Sequence, residues 1–323
     1  MRKILVTGSL GQLGTELVPY LRNIYGHDQV ISSSRRPHDD LDWNEIKPFE
    51  LVDVTDIDRL AEVVDKHRVT TIVHLAAILS ATGEKYPKLL WNVNMTGLYN
   101  VLEVAREKGL TVFTPSSIAA FGPTTPKFNT PQETIQRPST IYGVSKVAGE
   151  LLCDYYHQKF GVDTRGVRYP GLISNVALPG GGTTDYAVHI FYEALKYKKF
   201  ECYLKEDTLL DMMYMPDALR AIHEIMEADS NKLRYRNAYN VTAMTFDPNT
   251  LYKEIKRHIP DFEMTYVIDD IKQAIAESWP DKLDDTASRE DWDWKPKFDL
   301  SRMTESMLVT LSKKLFTYNK IDF

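Results

Sequence analysis

A glycine triplet near the start of the chain restricts the fold more than any other feature. Residues 3–7 are a short β-branched and apolar run, Gly8-Ser-Leu-Gly11-Gln12-Leu13-Gly14 follows, and a helical run continues to about residue 24. Glycines at this spacing let the chain turn tightly, let phosphate approach the backbone, and let the helix pack close to the strand. The helix start then presents its free N–H groups and the positive end of its dipole to an anion. Strand, glycine turn and helix in that order open a dinucleotide-binding unit. We expect Gly8, Gly11, Gln12, Leu13 and Gly14 to hold a dinucleotide, the bland alternative being a merely structural turn.

The rest of the first half continues the alternation. Residues 30–33 read as a second strand, and its end is where an acidic residue would bind the adenosine ribose of NAD. Ser34-Arg35-Arg36 stands there instead; arginines at that place can pair with the 2′-phosphate of NADP, or belong to a solvated loop. Residues 49–52 form a short third strand leading to Asp53 and Val54, candidate adenine contacts. A helix over 56–67 has Thr55 or Asp56 as its cap. The strand 71–75 ends in Ala76-Ala77, small enough to let backbone approach a ligand. Residues 89–108 are helical and carry Asn94, and a strand over 111–114 ends in Pro115-Ser116-Ser117. Hydroxyls at the carboxyl end of a parallel strand lie where open α/β sheets bind ligands. A sixth strand over 164–169 closes with Arg168-Tyr169-Pro170-Gly171. The predicted class is therefore α/β: a Rossmann-type doubly wound parallel sheet in residues 1–170, with residues 171–323 mainly a smaller C-terminal α/β substrate-binding domain, later segments returning to the first. His74 reads as a core histidine with its hydrogen bonds satisfied.

Tyr142-Gly-Val-Ser-Lys146 begins an amphipathic run that continues to residue 160. Residues four apart on a helix share a face. A phenol is a poor base at neutral pH, and a nearby ammonium favours the phenolate. The pair can therefore remove a proton from an alcohol. Alone, the spacing equally describes a tyrosine stacked on a lysine stem.

Beyond residue 171 a Gly180-Gly181-Gly182 loop precedes Thr183, Thr184 and Asp185. Thr184 or Asp185 could cap the next helix, or the loop could bind substrate through backbone amides and hydroxyls. Residues 201–215 hold a pair of strands, Asp217 reads as the cap of a helix to 228, and 237–241 and 250–258 read as strand and helix. Trp279-Pro280, Asp284-Asp285, Arg289 and Trp292-Asp-Trp294 form a cluster expected to cover the second domain, with Asp285 and Arg289 as a helix-surface pair. The formal charge of −6 without a basic stripe argues against nucleic acid. Lacking an apolar run near 18 residues, the chain is not expected to span a membrane, and no signal segment is expected before the first strand. Cys153 and Cys202 lie too far apart for a metal-ligand spacing; we expect reduced thiols and no metal.

Taken in order, Gly8/Gly11/Gly14, Asn94, Ser116-Ser117, Tyr142 and Lys146 resemble the extended short-chain dehydrogenase/reductase (NAD-dependent epimerase/dehydratase) superfamily. Pro115 to Gly122, Thr140 to Lys146, Arg168 to Gly171, Pro179 to Ala187, Met212-Met-Tyr-Met215 and Ser278-Trp279-Pro280 with Asp284, Asp285 and Arg289 are similar to L-threonine 3-dehydrogenases of the short-chain type, over nearly the whole chain. The clear departure is Ser34, where that family usually has the ribose-binding Asp. The resemblance implies NAD-dependent oxidation of L-threonine at C3 to 2-amino-3-ketobutyrate. It implies that Tyr142 takes the hydroxyl proton, that Lys146 favours the phenolate and hydrogen-bonds the nicotinamide ribose, and that Ser117 holds the reacting oxygen, with Ser116 able to share that role. Asn94 would support the proton relay. Ser34, Arg35, Asp53, Val54, Leu75, Ala76, Ala77, Tyr169 and Pro170 would join the glycines around the cofactor. Ser80, Gly181, Gly182, Thr183, Thr184, Asp185 and Trp279 would join Ser117 and Tyr142 around the substrate. NAD is the implied cofactor, with NADP the alternative that Arg35 and Arg36 raise. A cytoplasmic homodimer, built through two helices per subunit including the Tyr142 helix, is the implied assembly. Two other readings remain open: a nucleotide-sugar epimerase or dehydratase on the same scaffold, and a dinucleotide-binding sensor without catalysis.

Overall fold

A computed structural model describes residues 2–36, 46–176 and 182–317. β1 (Ile4–Thr7) leads through the glycine turn into α1 (Gln12–Tyr25), and β2 (Val30–Ser34), β3 (Phe49–Leu51), α2 (Ile57–His67) and β4 (Thr71–His74) follow. Then come α3 (Ser80–Lys85), α4 (Pro87–Trp91), a π-helical turn Asn92–Thr96, α5 (Gly97–Lys108), β5 (Thr111–Phe113) and β6 (Ser116–Ser117). α6 (Ile141–Phe160), β7 (Asp163–Arg165), β8 (Val167–Tyr169), β9 (Gly171–Ile173) and α7 (Tyr186–Tyr197) lead to β10 (Lys199–Cys202) and β11 (Leu210–Tyr214). The chain ends with α8 (Met215–Glu227), β12 (Tyr239–Asn240), β13 (Met244–Phe246), α9 (Pro248–His258), β14 (Glu263–Tyr266), α10 (Asp270–Glu277), α11 (Thr286–Trp292) and α12 (Leu300–Thr317).

The main sheet is parallel, in the order β3-β2-β1-β4-β5-β7. Side chains alternate across a strand, and the core divides accordingly. Leu5, Ile31, Ile72 and Val112 pack with α2, α5 and α6 on one face. Ile4, Val6, Val30, Val73 and Phe113 pack with α1 and α8 on the other. Both faces are buried, which explains why β1, β4 and β5 read as largely apolar runs. A third core gathers α7, β11, α9, α12 and the Trp279 region, and Tyr142 rests partly buried against it.

Four expectations need correction. The single strand over 164–169 is broken at Gly166, which packs so close to Thr114 that a Cβ there would lie 2.3 Å from its carbonyl oxygen. The strand before it breaks in register, at Thr114-Pro115, where proline has no N–H to extend the ladder. β6 and β8 therefore leave the main sheet and form a second parallel sheet, β12-β8-β6. The two strands of 201–215 do not pair with each other: β10 pairs with β14, and β11 lies between β9 and β13. Asp217 caps nothing. α8 begins at Met215 with Pro216 in its first turn, and the buried Asp217 carboxylate accepts from the Lys297 and Phe298 N–H groups and pairs with Arg220. Trp292 and Trp294 pack against the α1 and α8 face of the main sheet and not over the second core.

Candidate active site

The glycine turn bends where its residues demand it. Gly8 has φ +67°, and a Cβ on it would meet the Ala76 backbone at 2.7 Å. A Cβ on Gly14 would meet Ser9 and the Gly8 carbonyl at 2.6–2.7 Å, so α1 seats directly on β1. α1 starts at the N-cap Gly11 with no capping side chain and no acid in its first turn. Its first N–H groups thus lack a side-chain acceptor and face the cleft, the arrangement that suits an anion. The buried Ser9 hydroxyl also has no partner among the described residues. These features fit the pyrophosphate of a dinucleotide.

One cleft of about 270 Å³ runs between the main sheet and the third core. It is lined at one end by Gly8, Gly11, Gln12, Leu13, Gly14, Leu75 and Ala77. Ser116, Ser117, Tyr142, Lys146, Tyr169 and Pro170 line its middle, and Ser80, Gly182, Thr183, Thr184, Asp185 and Trp279 close it on the side of the third core. The break after Thr114 carries Ser116 and Ser117 into this space. Ser117 Oγ accepts from the Ala119 N–H at 3.2 Å, which starts a turn of 3₁₀ helix and fixes the hydroxyl at the cleft wall.

Tyr142 and Lys146 stand on one face of α6, whose start is set by Thr140 accepting from the Gly143 N–H at 3.0 Å. The Lys146 ammonium lies 5.4 Å from the centre of the Tyr142 ring and donates to the Pro115 carbonyl at 2.8 Å. Asn94 sits in the π-helical turn, a local widening common at functional positions. Its Oδ1 accepts from the Ile78 N–H at 2.8 Å, and its amide reaches Ser145 Oγ, which donates to the Tyr142 carbonyl at 2.7 Å. Ala76, Asn94, Ser145, Lys146, Glu150 and Asn237 are among the residues lining a smaller adjoining chamber, which is large enough for water and offers it several polar partners. His74 bounds it and bonds the Thr7 hydroxyl at 2.9 Å; burial, with Lys146 nearby, pushes its imidazole down to about 3, so it is neutral. Next to Ser117, the Ser116 hydroxyl donates to Glu150, which forms a buried two-pronged ion pair with Arg168 at 2.9–3.0 Å.

Several predicted residues lie apart from this cleft. Val54 is buried under Gly97, its carbonyl accepting from Asn100 at 3.0 Å. Asp53 Oδ1 accepts from the Thr55 N–H and hydroxyl at 3.0 and 2.7 Å. Ser34 and Arg35 stand at the end of β2 beyond the glycine turn. Gly181 lies outside the described residues. Asp185 stands at the N-cap of α7, but its carboxylate accepts from the Gly182 N–H at 2.5 Å, folding the loop's end onto the cleft without capping the helix. Sequence reasoning missed Glu150, although it follows Lys146 by four residues on the same helix face. It also missed Leu79, Ile118 and Ala119, apolar wall residues that no local pattern marks. Among the described residues no group of His, Cys, Asp or Glu could hold a metal, and no helix is long and apolar enough to cross a membrane.

A Rossmann-type sheet with an open glycine cradle beside a Tyr/Lys/Ser set defines a nicotinamide-dinucleotide-dependent oxidoreductase. The chain belongs to the NAD dependent epimerase/dehydratase family, whose model matches residues 4–242. An L-threonine dehydrogenase from Clostridium difficile is 56% identical, with TM-score 0.95 over 97% of this chain and 98% of that one. The corresponding enzyme of Phytophthora infestans is 50% identical, with TM-score 0.93 over 97% and 100%. An uncharacterized epimerase/dehydratase of Staphylococcus haemolyticus is 54% identical over 315 residues, 97% of this chain and 99% of its own length.

Proposed function

We propose that the protein oxidises L-threonine at C3 to 2-amino-3-ketobutyrate. The observation that carries this is the convergence in one cleft of the glycine cradle, Ser117, Tyr142 and Lys146 with a short polar end at Ser80, Thr183, Thr184 and Asp185. Such an end suits a small zwitterion, and the similar L-threonine dehydrogenases support the same substrate. A bound nicotinamide would accept the hydride leaving C3. Ser117 holds the reacting hydroxyl oxygen, with Ser116 as its neighbour. Tyr142 takes the hydroxyl proton as the carbonyl forms. Lys146 favours the phenolate and holds the nicotinamide ribose, and Asn94, through the chamber behind Lys146, passes the proton on. Gly8, Gly11, Gln12, Leu13 and Gly14 hold the pyrophosphate; Leu75, Ala76, Ala77, Tyr169 and Pro170 bound the rest of the dinucleotide. Ser80, Gly182, Thr183, Thr184, Asp185 and Trp279 bind the amino acid. Residues 1–170 form the dinucleotide unit and residues 171–323 mainly the substrate unit, with α8 and the two tryptophans after Asp285 returning to the first. The working form is a cytoplasmic homodimer.

The test is purified protein with L-threonine and either NAD or NADP, followed by absorbance of the reduced nicotinamide. Reduction dependent on threonine is expected. Protein that binds a dinucleotide yet reduces none with threonine overturns the substrate assignment.

A further inference from the structure

We propose that the end of β2 is a subsite for the 2′-phosphate of the adenosine ribose, so that this chain takes the phosphorylated nicotinamide dinucleotide in preference to the unphosphorylated one. The inference rests on the cleft's binding a dinucleotide and concerns the end of it remote from the chemistry.

β2 pairs with β1 in parallel register, Thr7 opposite Ser33, and the Ser9 N–H of the glycine turn donates to the Ser33 carbonyl at 2.9 Å. Ser34 therefore follows immediately where the chain passes the cradle. In this fold the ribose carrying the adenine lies over that strand end, one pyrophosphate away from the glycines. A ribose with free hydroxyls presents two donors there, and a carboxylate matches them. Ser34 offers a single hydroxyl. A ribose 2′-phosphate presents a dianion with only acceptors, and guanidinium groups match it by paired N–H donors.

Arg35 and Arg36 are exposed, and neither has a hydrogen bond or ion pair among the described residues. Three other arginines of the same unit are committed. Arg22 donates to the Val30, Ile46 and Pro48 carbonyls, Arg59 pairs with Glu50 and Glu62, and Arg168 pairs with Glu150. The adjoining strand is tied to the same place by the Val52 N–H donating to the Ser34 carbonyl at 3.0 Å, and it leads to Asp53. Asp53 Oδ1 is taken up by Thr55, so it is turned into its own loop. Among the described residues, two uncommitted guanidiniums and a hydroxyl, with no carboxylate turned toward them, stand at the strand end and form a site for a phosphate.

The experiment is calorimetric titration of the full-length chain with NADP and NAD, and with adenosine 2′,5′-bisphosphate and adenosine 5′-monophosphate as shortened probes. The phosphorylated member of each pair is expected to bind at least about tenfold more tightly, with the gap narrowing as salt is raised. The double variant Arg35→Ala/Arg36→Ala should close the gap while leaving NAD within about twofold of wild type, and Ser34→Asp should reverse the preference in a protein that still binds NAD. Equal or tighter binding of the unphosphorylated probes by wild type overturns the subsite, as does a double variant that weakens both members equally. Tight NADP binding without threonine turnover leaves the subsite standing and removes the substrate assignment. Failure to bind any of the four ligands removes both.

Discussion

Tyr142 stands in the first turn of α6 because Thr140 ends the preceding loop as an N-cap, and from there the helix fixes the spacing of everything behind it. Tyr142, Lys146 and Glu150 are successive i, i+4 neighbours on one face. Glu150 reaches across to Ser116 and Arg168, so the helix face that carries the proposed base also holds the strand that carries the serines. Replacing Tyr142 by Phe removes one oxygen from the cleft wall and leaves the glycine cradle untouched. Turnover should fall by about 10²–10⁴-fold while the dissociation constant for the dinucleotide stays within about twofold. Stopped-flow and equilibrium titration of the same preparation check both halves, and turnover like the wild type would remove Tyr142 from the chemistry. At this scale the sequence was informative, because glycine triplets, strand-end hydroxyls and i, i+4 pairs are local patterns. Asp217 shows where local reading fails. A carboxylate just before an apolar helical run looks like a cap, but besides Arg220 its partners are backbone N–H groups eighty positions away, and no local pattern announces those.

Among the elements, α6 has two faces with opposite duties. Cys153 and Tyr156 are buried against the sheet, while Val144, Leu151 and Tyr155 lie exposed, Leu151 by 63%. Trp91 and Tyr99, on the run from α4 to α5, are exposed as well. Apolar groups of this size on paired helices suit burial against a second copy. The double variant Leu151→Asp/Tyr155→Asp should therefore convert a dimer to a monomer in light scattering, with the far-ultraviolet spectrum unchanged. A wild-type chain that is already a monomer would end the homodimer proposal. The order of strands and helices in the first half was legible because β1, β4 and β5 are short apolar and β-branched runs set between helical stretches. The breaks at Pro115 and Gly166 were not, although both residues were visible. Each is an ordinary strand end when read alone, and their meaning depends on the two strands lying side by side, where the Gly166 hydrogen faces the Thr114 carbonyl.

Across the whole molecule, the third core contains a buried acid that ties distant segments together. Asp211, on β11, accepts from the Thr242 hydroxyl at 2.5 Å and the Leu283 N–H at 2.8 Å. Burial pushes its carboxyl up to about 7. An acid whose folded pKa is raised favours the fold while protonated. That contribution is complete below about pH 4, where the unfolded carboxyl is also protonated, and is lost as pH rises through 7. Urea unfolding of wild type against Asp211→Asn should show the two curves diverging by something on the order of a few kcal/mol across that window, the wild type losing stability relative to the amide as pH rises. Parallel curves would mean that the carboxylate stays ionised in the fold. The tryptophans were misplaced for a related reason: sequence position put them with the C-terminal unit, whereas Trp292 and Trp294 close the face of the main sheet beside α8. The small sheet β12-β8-β6 has a temporal consequence. β6 gains its place from β8, and β8 is flanked on its other edge by β12, which the ribosome delivers some seventy residues later. The serine strand is therefore fully clamped only once Tyr239 and Asn240 have been made, so the hydroxyls of the cleft are seated late in synthesis.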